Sequence, residues 1–301
     1  MLKKILYQIS TRIDFEYISN SRYKIPLYTK KMSARAQKKL IRYLARNNIN
    51  RIVLAKGTEY LSNKLKENDF YVFNGKMVFK YMLNEVIEYI FKIKHQCYRD
   101  EEVYVTVVDD RDTDVIIDIA KKFKNLNIVT DNIKKLKRLD KKLENNTDIV
   151  YSISNNKKKG LRRAKFIINF NCGNNFFESY KINKDAIILN LSANGLSFRN
   201  AFSGIIVEKI LITYFNSTPE TLKYTQFDSS ELYESVLFNL KYVQARNQIE
   251  LDDCKVCCLV GIRGVISERE FIANNSWQIA QNRLIYFRLK WKRFLGRERT
   301  D

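Results

Sequence analysis

The strongest constraint on the fold is the alternation of short apolar runs with helical segments between Val103 and Leu191. Val103–Val108 (VYVTVV), Asn127–Thr130 (NIVT), Asp148–Ile153 (DIVYSI), Lys165–Phe170 (KFIINF) and Ala186–Leu191 (AIILNL) read as five strands. The first is continuously apolar, the pattern of a strand covered on both faces rather than one with a wet side. Between the first three runs lie Asp112–Lys124 and Ile133–Leu143. In these, Val115, Ile116, Ile119, Ala120 and Phe123, and then Ile133, Leu136, Leu139 and Leu143, recur at helical spacing. Strand–helix–strand repeats imply right-handed crossovers and a parallel sheet. The predicted fold class is therefore α/β.

A second α/β unit is predicted upstream. Residues 2–9 (LKKILYQI) read as a strand, and Ser33 offers an N-cap to a helix bearing Ala36, Leu40, Ile41, Leu44 and Ala45 on one side. Asn47-Asn48 ends that helix before a short strand, Arg51–Ala55. Strand Phe70–Phe73 follows, then one long helix from Lys76 to Lys94. The predicted domains are 1–95, an N-terminal α/β lobe with a connector helix; 102–195, the parallel-sheet domain; 196–272, returning strands and a helix over Ser229–Arg246; and 273–301, a basic amphipathic tail.

In element order alone, Val103–Leu191 resembles the Rossmann-like domain that follows an N-terminal α/β domain in shikimate-dehydrogenase-like proteins. The resemblance implies a dinucleotide site with G-x-G-x-x-G after the first strand, because only glycine lets backbone approach a pyrophosphate at a helix N-terminus. This chain has Asp109-Asp110-Arg111-Asp112-Thr113-Asp114 there, and no G-x-G anywhere. An NAD or FAD site of the usual kind is not expected. Asp131, just past the second strand, stands where the family places an acid on the ribose. The same stretch also resembles a receiver domain, whose paired acids bind Mg²⁺. Asp109 and Asp110 are thus a candidate metal pair, but Ser152, Ser154 and Asn155 occupy the window where a phosphoacceptor Asp is required. NADP and Mg²⁺ are the two cofactors left open.

The charge map points to an anionic partner. The chain carries 54 Lys and Arg against 33 Asp and Glu. Residues 1–56 hold 14 basic and 2 acidic side chains, and 118–168 hold 15 and 5, whereas 101–117 are acidic. Such segregation favours nucleic acid, acidic lipid or a phosphorylated ligand. The sharpest candidate is the loop after the third strand, where Asn155, Asn156 and Gly160 allow tight turns. Lys157, Lys158, Lys159, Arg162 and Arg163 supply five cations there.

In the tail, Trp277, Ala280, Leu284, Phe287, Trp291 and Phe294 form one helical stripe among Arg and Lys. The segment 277–295 is expected to dock on the protein itself, a partner or a membrane surface. No apolar run reaches the ~18 residues of a membrane span, and a cytoplasmic protein, peripheral to the membrane at most, is expected. Five cysteines fit a reducing compartment. Cys254, Cys257 and Cys258 read as part of a buried strand rather than a zinc or redox motif. The single histidine, His95, has no nucleophile elbow near it. No catalytic residue is assigned. Together these features suggest a non-catalytic binding or regulatory protein. The alternatives are an atypical NADP- or metal-dependent enzyme and a nucleic-acid-binding protein using windows 1–56 and 118–168.

Overall fold

The computed structural model describes residues 17–19, 22–23, 32–54, 56–146, 148–198, 202–214 and 227–274. The expected strand over 2–9 and the tail segment 277–295 lie outside them. The chain divides into two compact units, Met1–Met82 with Ile210–Cys257 and Leu83–Lys209 with Cys258–Asp301.

In the first unit, β1 (Tyr17–Ser19) pairs antiparallel with β2 (Arg22–Tyr23). Helix α1 (Ala34–Arg46) starts where the Ser33 hydroxyl accepts a hydrogen bond from Ala36 N. Its Leu40 and Leu44 are fully buried against Ile49, Ile52, Leu54, Leu61, Leu65, Phe70 and Val72. Those residues come from the parallel pair β3 (Arg51–Ile52) and β4 (Tyr71–Val72), from α2 (Ser62–Lys66) and from the turns around them. At β4 and just after it, Tyr71, Phe73 and Phe238 pack edge to face, with the Arg51 guanidinium 4.4 Å from the Phe238 ring centre. Helix α3 (Lys76–Tyr81) follows Gly75, which is left-handed at φ 74°. The buried Glu234 carboxylate accepts from the amides of Asn74 (2.9 Å), Gly75 and Met77 (3.3 Å). It supplies the negative charge that the orphan donors of a helix start require.

The single helix expected over Lys76–Lys94 is two, α3 and α4 (Leu83–Ile93), broken at Met82. Val78, Phe79, Met82, Leu83, Val86 and Ile87 are all essentially solvent-free. Their helical spacing runs through the break, which is a local backbone turn at Met82 (φ −95°, ψ 19°) whose amide still bonds to Val78 O at 2.9 Å. The helix expected over Ser229–Arg246 is likewise two, α8 (Ser229–Leu237) and α9 (Tyr242–Leu251). The Gln244 side chain accepts from Lys241 N at 3.1 Å and starts the second helix afresh.

The expected parallel sheet falls mostly in the second unit, with residues 210–213 of its sixth strand and 255–257 of its seventh counted in the first. Its strands are β5 (Glu102–Thr106), β6 (Asn125–Val129), β7 (Tyr151–Ser154), β8 (Phe166–Asn169), β9 (Ile187–Asn190) and β10 (Ile205–Thr213), joined by β11 (Lys255–Gly261) and β12 (Gly264–Val265). They lie in the order β7-β6-β5-β8-β9-β10-β11-β12. The first six pair in parallel, and β11–β12 is an antiparallel hairpin. Numbered from β5, the parallel strands run 3-2-1-4-5-6, the doubly wound Rossmann order, whose switch point lies between β5 and β8. Helices α5 (Thr113–Ala120) and α6 (Lys137–Glu144) make the first two crossovers, and α7 (Asn174–Ser179) joins β8 to β9. Every residue of β8 and β9 is buried, as continuous apolar runs require. Strand β11 is less buried than expected: Leu259 is covered and Cys254 just before it is buried, but Cys257 is exposed and donates through Sγ to Leu211 O at 3.2 Å. It lies near the margin of the sheet, with only β12 beyond it.

Candidate functional site

Open parallel sheets bind ligands outside the carboxyl ends of their strands, at the switch point. Here that edge is built around a buried polar ladder. Thr106, Asn169 and Asn190 end β5, β8 and β9 in mutual register, and Glu208 follows Val207, the partner of Leu189. Thr106 Oγ1 donates to Asn169 Oδ1 at 2.8 Å, and Asn169 Nδ2 donates to Asn190 Oδ1 at 2.8 Å. Asn190 Nδ2 in turn donates to Glu208 Oε2 at 2.8 Å. Asn169 also holds both backbone groups of Cys172, accepting from its N–H and donating to its carbonyl. Thr106, Asn169 and Asn190 are fully buried, so every one of these bonds replaces water the groups have lost. Sequence reading missed this ladder. Its signal was visible: the strand runs Phe-Ile-Ile-Asn and Ile-Ile-Leu-Asn both place one amide directly after an apolar triplet.

The connection from β5 to α5 is acidic and self-satisfied. Asp109 is bidentate with Arg111, whose Nε lies 3.0 Å from each carboxylate oxygen and whose Nη2 lies 2.8 Å from Oδ2. Those hydrogen bonds hold Asp109 below the usual carboxylate range. Arg111 is largely exposed, so the pair contributes at most about 1 kcal/mol. Asp110 accepts from Arg138 N at 3.1 Å through Oδ2, while its buried Oδ1 has no hydrogen-bond partner. With carboxylates in place of glycines, these residues do not suit a dinucleotide pyrophosphate, which needs close, donor-rich backbone. Among the described residues no group of three His, Cys, Asp or Glu side chains is arranged to hold a metal. Both oxygens of Asp109 are already engaged by Arg111. Asp131 is exposed past β6 and interacts with Tyr180, whose hydroxyl donates to Thr130 O at 3.1 Å. Burial, and secondarily Asp131, push the Tyr180 phenol far up.

Cys172, at the switch point itself, is fully buried, and burial pushes its thiol to about 12. Burial favours its protonated form, and it packs in the core beside Phe176, Phe177 and Leu161. His95 is exposed and left-handed at φ 51°, ending α4 with its N–H on Lys92 O.

The loop 155–163 leaves the carboxyl end of β7 as a series of tight turns. Asn156 Oδ1 accepts from the amides of Lys158 (3.1 Å) and Lys159 (3.0 Å), and its carbonyl accepts from Gly160 N at 2.7 Å. A side chain at position 160 would meet that carbonyl at 2.8 Å, which is why glycine stands there. Leu161 plugs the core, and Lys157 O accepts from Lys181 N at 2.9 Å. On this fixed base Asn155, Asn156, Lys157, Lys158, Lys159, Arg162 and Arg163 are all exposed. None of the five cations forms an ion pair with an acid among the described residues. Exposed Lys134 and Lys135, just past neighbouring β6, extend the basic rim, and Lys135 helps to lower the Asp109 carboxyl. The amides of Asn156, Lys158, Lys159, Gly160 and Arg162 are engaged within the turn, so the exposed cationic side chains are its main groups for meeting an anion.

A cavity of about 490 Å³ lies at the opposite, amino edge, around the start of β10. Phe198, Phe202, Ile205, Ile206, Val265 and Ile266 are among the residues lining it.

No protein-family model and no curated protein sequence matches the chain. The chain is similar at low identity to solved structures that include the following three. L-tryptophan dehydrogenase from Nostoc punctiforme is 10% identical with a TM-score of 0.37, over 76% of this chain and 67% of its own. The A chain of dipicolinate synthase from Bacillus subtilis is 12% identical with a TM-score of 0.35, over 66% of each chain. A phosphoglycerate oxidoreductase from Rhizobium etli is 11% identical with a TM-score of 0.26, over 53% of this chain and 54% of its own. The Rossmann-like assignment of the second unit rests on the strand order itself. Among the described residues no helix is long and apolar enough to cross a membrane.

Proposed function

We propose that this chain is a non-catalytic binding or regulatory protein, whose Rossmann-like unit takes a phosphorylated, anionic partner at the β7 side of its carboxyl edge. The observation that carries this reading is the loop 155–163: five exposed cations without acidic partners among the described residues, on a turn fixed by the Asn156 side chain and carbonyl. Preorganised scaffolds lose less entropy on binding than mobile ones. Lys157, Lys158 and Lys159 act as point charges, while Arg162 and Arg163 offer planar forks to phosphate oxygens. Contacts of this kind are strongly salt-dependent and tolerant of anion shape. The acidic, self-paired β5–α5 connection supports a binding role over dinucleotide chemistry, because it occupies with carboxylates the place a pyrophosphate would take.

Titration of inorganic tripolyphosphate into the full chain by calorimetry tests the proposal. The variant carrying Lys157→Ser, Lys158→Ser, Lys159→Ser, Arg162→Ser and Arg163→Ser is expected to bind at least 10-fold more weakly, with its melting temperature nearly unchanged. Equal affinity in the variant returns the loop to an ordinary solvated turn.

A further inference from the structure

Helix α1 carries a second cationic surface, on the first unit and independent of the loop after β7. Its sequence, ARAQKKLIRYLAR, contains five Lys and Arg and no acid. At 3.6 residues per turn, Arg35, Lys38, Lys39, Arg42 and Arg46 fall within an arc of about 100°. That arc faces away from buried Leu40 and Leu44. All five are exposed, and none pairs with an acid among the described residues. Each has a like-charged neighbour three or four residues away, an arrangement that works against the helix and gains nothing from packing. The preceding residues offer little compensation, since 1–56 contain only Asp14 and Glu16 as acids.

We propose that this stripe docks along the phosphate backbone of a DNA duplex. Its five charges span about 17 Å of helix axis, with a mean gap of about 4 Å. A duplex strand presents one phosphate per ~3.4 Å of axis, so a row of closely spaced cations meets a continuous row of anions. A membrane is the poorer fit. Interfacial helices insert an apolar face into lipid, whereas the apolar face of α1 is turned into its own core, and among the described residues of α1 only Tyr43 is a large apolar side chain exposed beside the stripe.

The test uses the full chain and a fluorescent 20-base-pair duplex of arbitrary sequence, followed by anisotropy over a salt series. The wild type is expected to bind with a slope of log affinity against log salt near about −4, reflecting four to five neutralised phosphates. The variant with Arg35→Gln, Lys38→Gln, Lys39→Gln, Arg42→Gln and Arg46→Gln should lose at least 100-fold at low salt and flatten the slope towards zero. Circular dichroism confirms that α1 persists, and a variant carrying only Lys38→Arg and Lys39→Arg should retain binding and slope. The five-Ser loop variant separates this proposal from the previous one: its salt slope should fall by no more than one. Undiminished binding in the Gln variant overturns the proposal, as does a loss confined to phosphatidylserine vesicles with duplex binding unaffected.

Discussion

Replacing Asn169 with Leu probes the ladder that shapes the carboxyl edge. Asn169 makes four hydrogen bonds: two accepted, from Thr106 Oγ1 and Cys172 N, and two donated, to Cys172 O and Asn190 Oδ1. Leucine nearly fills the volume but leaves the Cys172 N–H, the Cys172 carbonyl and the Thr106 hydroxyl buried without this partner. Asn190 Oδ1 fares better, because Ser192 N still donates to it at 3.2 Å. A buried group left unpaired costs about 1–3 kcal/mol, and part of that is offset by the apolar area leucine buries. A net destabilisation of about 2–4 kcal/mol follows. At about 2–4 °C per kcal/mol for a unit of this size, the melting temperature should fall by about 5–15 °C. Differential scanning calorimetry reads the shift. Thr106→Val made in the Asn169→Leu background should cost about 1 kcal/mol less than Thr106→Val alone, because its partner is already gone. An Asn169→Leu variant within about 0.5 kcal/mol of wild type, or strictly additive costs, would refute the view that these side chains form one coupled network.

Four further outcomes follow. Lys94 donates to Phe271 O at 2.8 Å and Asn274 O at 3.3 Å, and burial lowers its pKa to about 8. Between pH 8 and ~10.4 the unfolded chain binds more protons at this residue, so its contribution to stability rises with pH across that window. Urea midpoints at pH 8 and pH 10 in wild type and Lys94→Met should differ in that sense, with the variant showing the smaller gain. Exposed Cys97 and Cys257 should react with an aromatic disulfide within minutes at pH 8, while Cys172 should react only on unfolding. Glu234→Ala should destabilise the first unit by about 2–4 kcal/mol, because it strips a charged acceptor from three amides at the start of α3. Neutralising the α1 stripe with Gln should raise the melting temperature slightly, since each like-charge pair removed relieves about 0.2–0.5 kcal/mol.

The parallel sheet was legible because strands covered on both faces leave uninterrupted apolar runs. Phe166–Asn169 and Ile187–Asn190 fall within the runs the sequence marks. The Ser33 cap was equally readable, since a hydroxyl ahead of a periodic segment has one favoured use. The break at Met82 was hidden because helical periodicity records spacing, and Val78, Met82, Val86 and Ile90 keep their spacing across it. The edge chemistry was only half visible. The Asp109–Asp114 segment announced the missing glycines, but the bidentate hold of Arg111 on Asp109 depends on local turn geometry that residue types alone do not encode. The basic loop could be found from its composition. That the amides of Lys158, Lys159 and Gly160 turn onto Asn156 required the backbone.

The most direct test of where the anion is held is a hydrogen–deuterium exchange footprint of the full chain with and without millimolar inorganic tripolyphosphate at low salt. Binding by the side chains of a rigid turn predicts slowed exchange in peptides covering Asn155–Arg163 and the adjoining Lys134–Lys135 segment, and no change over Val107–Thr113. Protection centred on Val107–Thr113, or no protection anywhere despite saturating anion, would contradict the account.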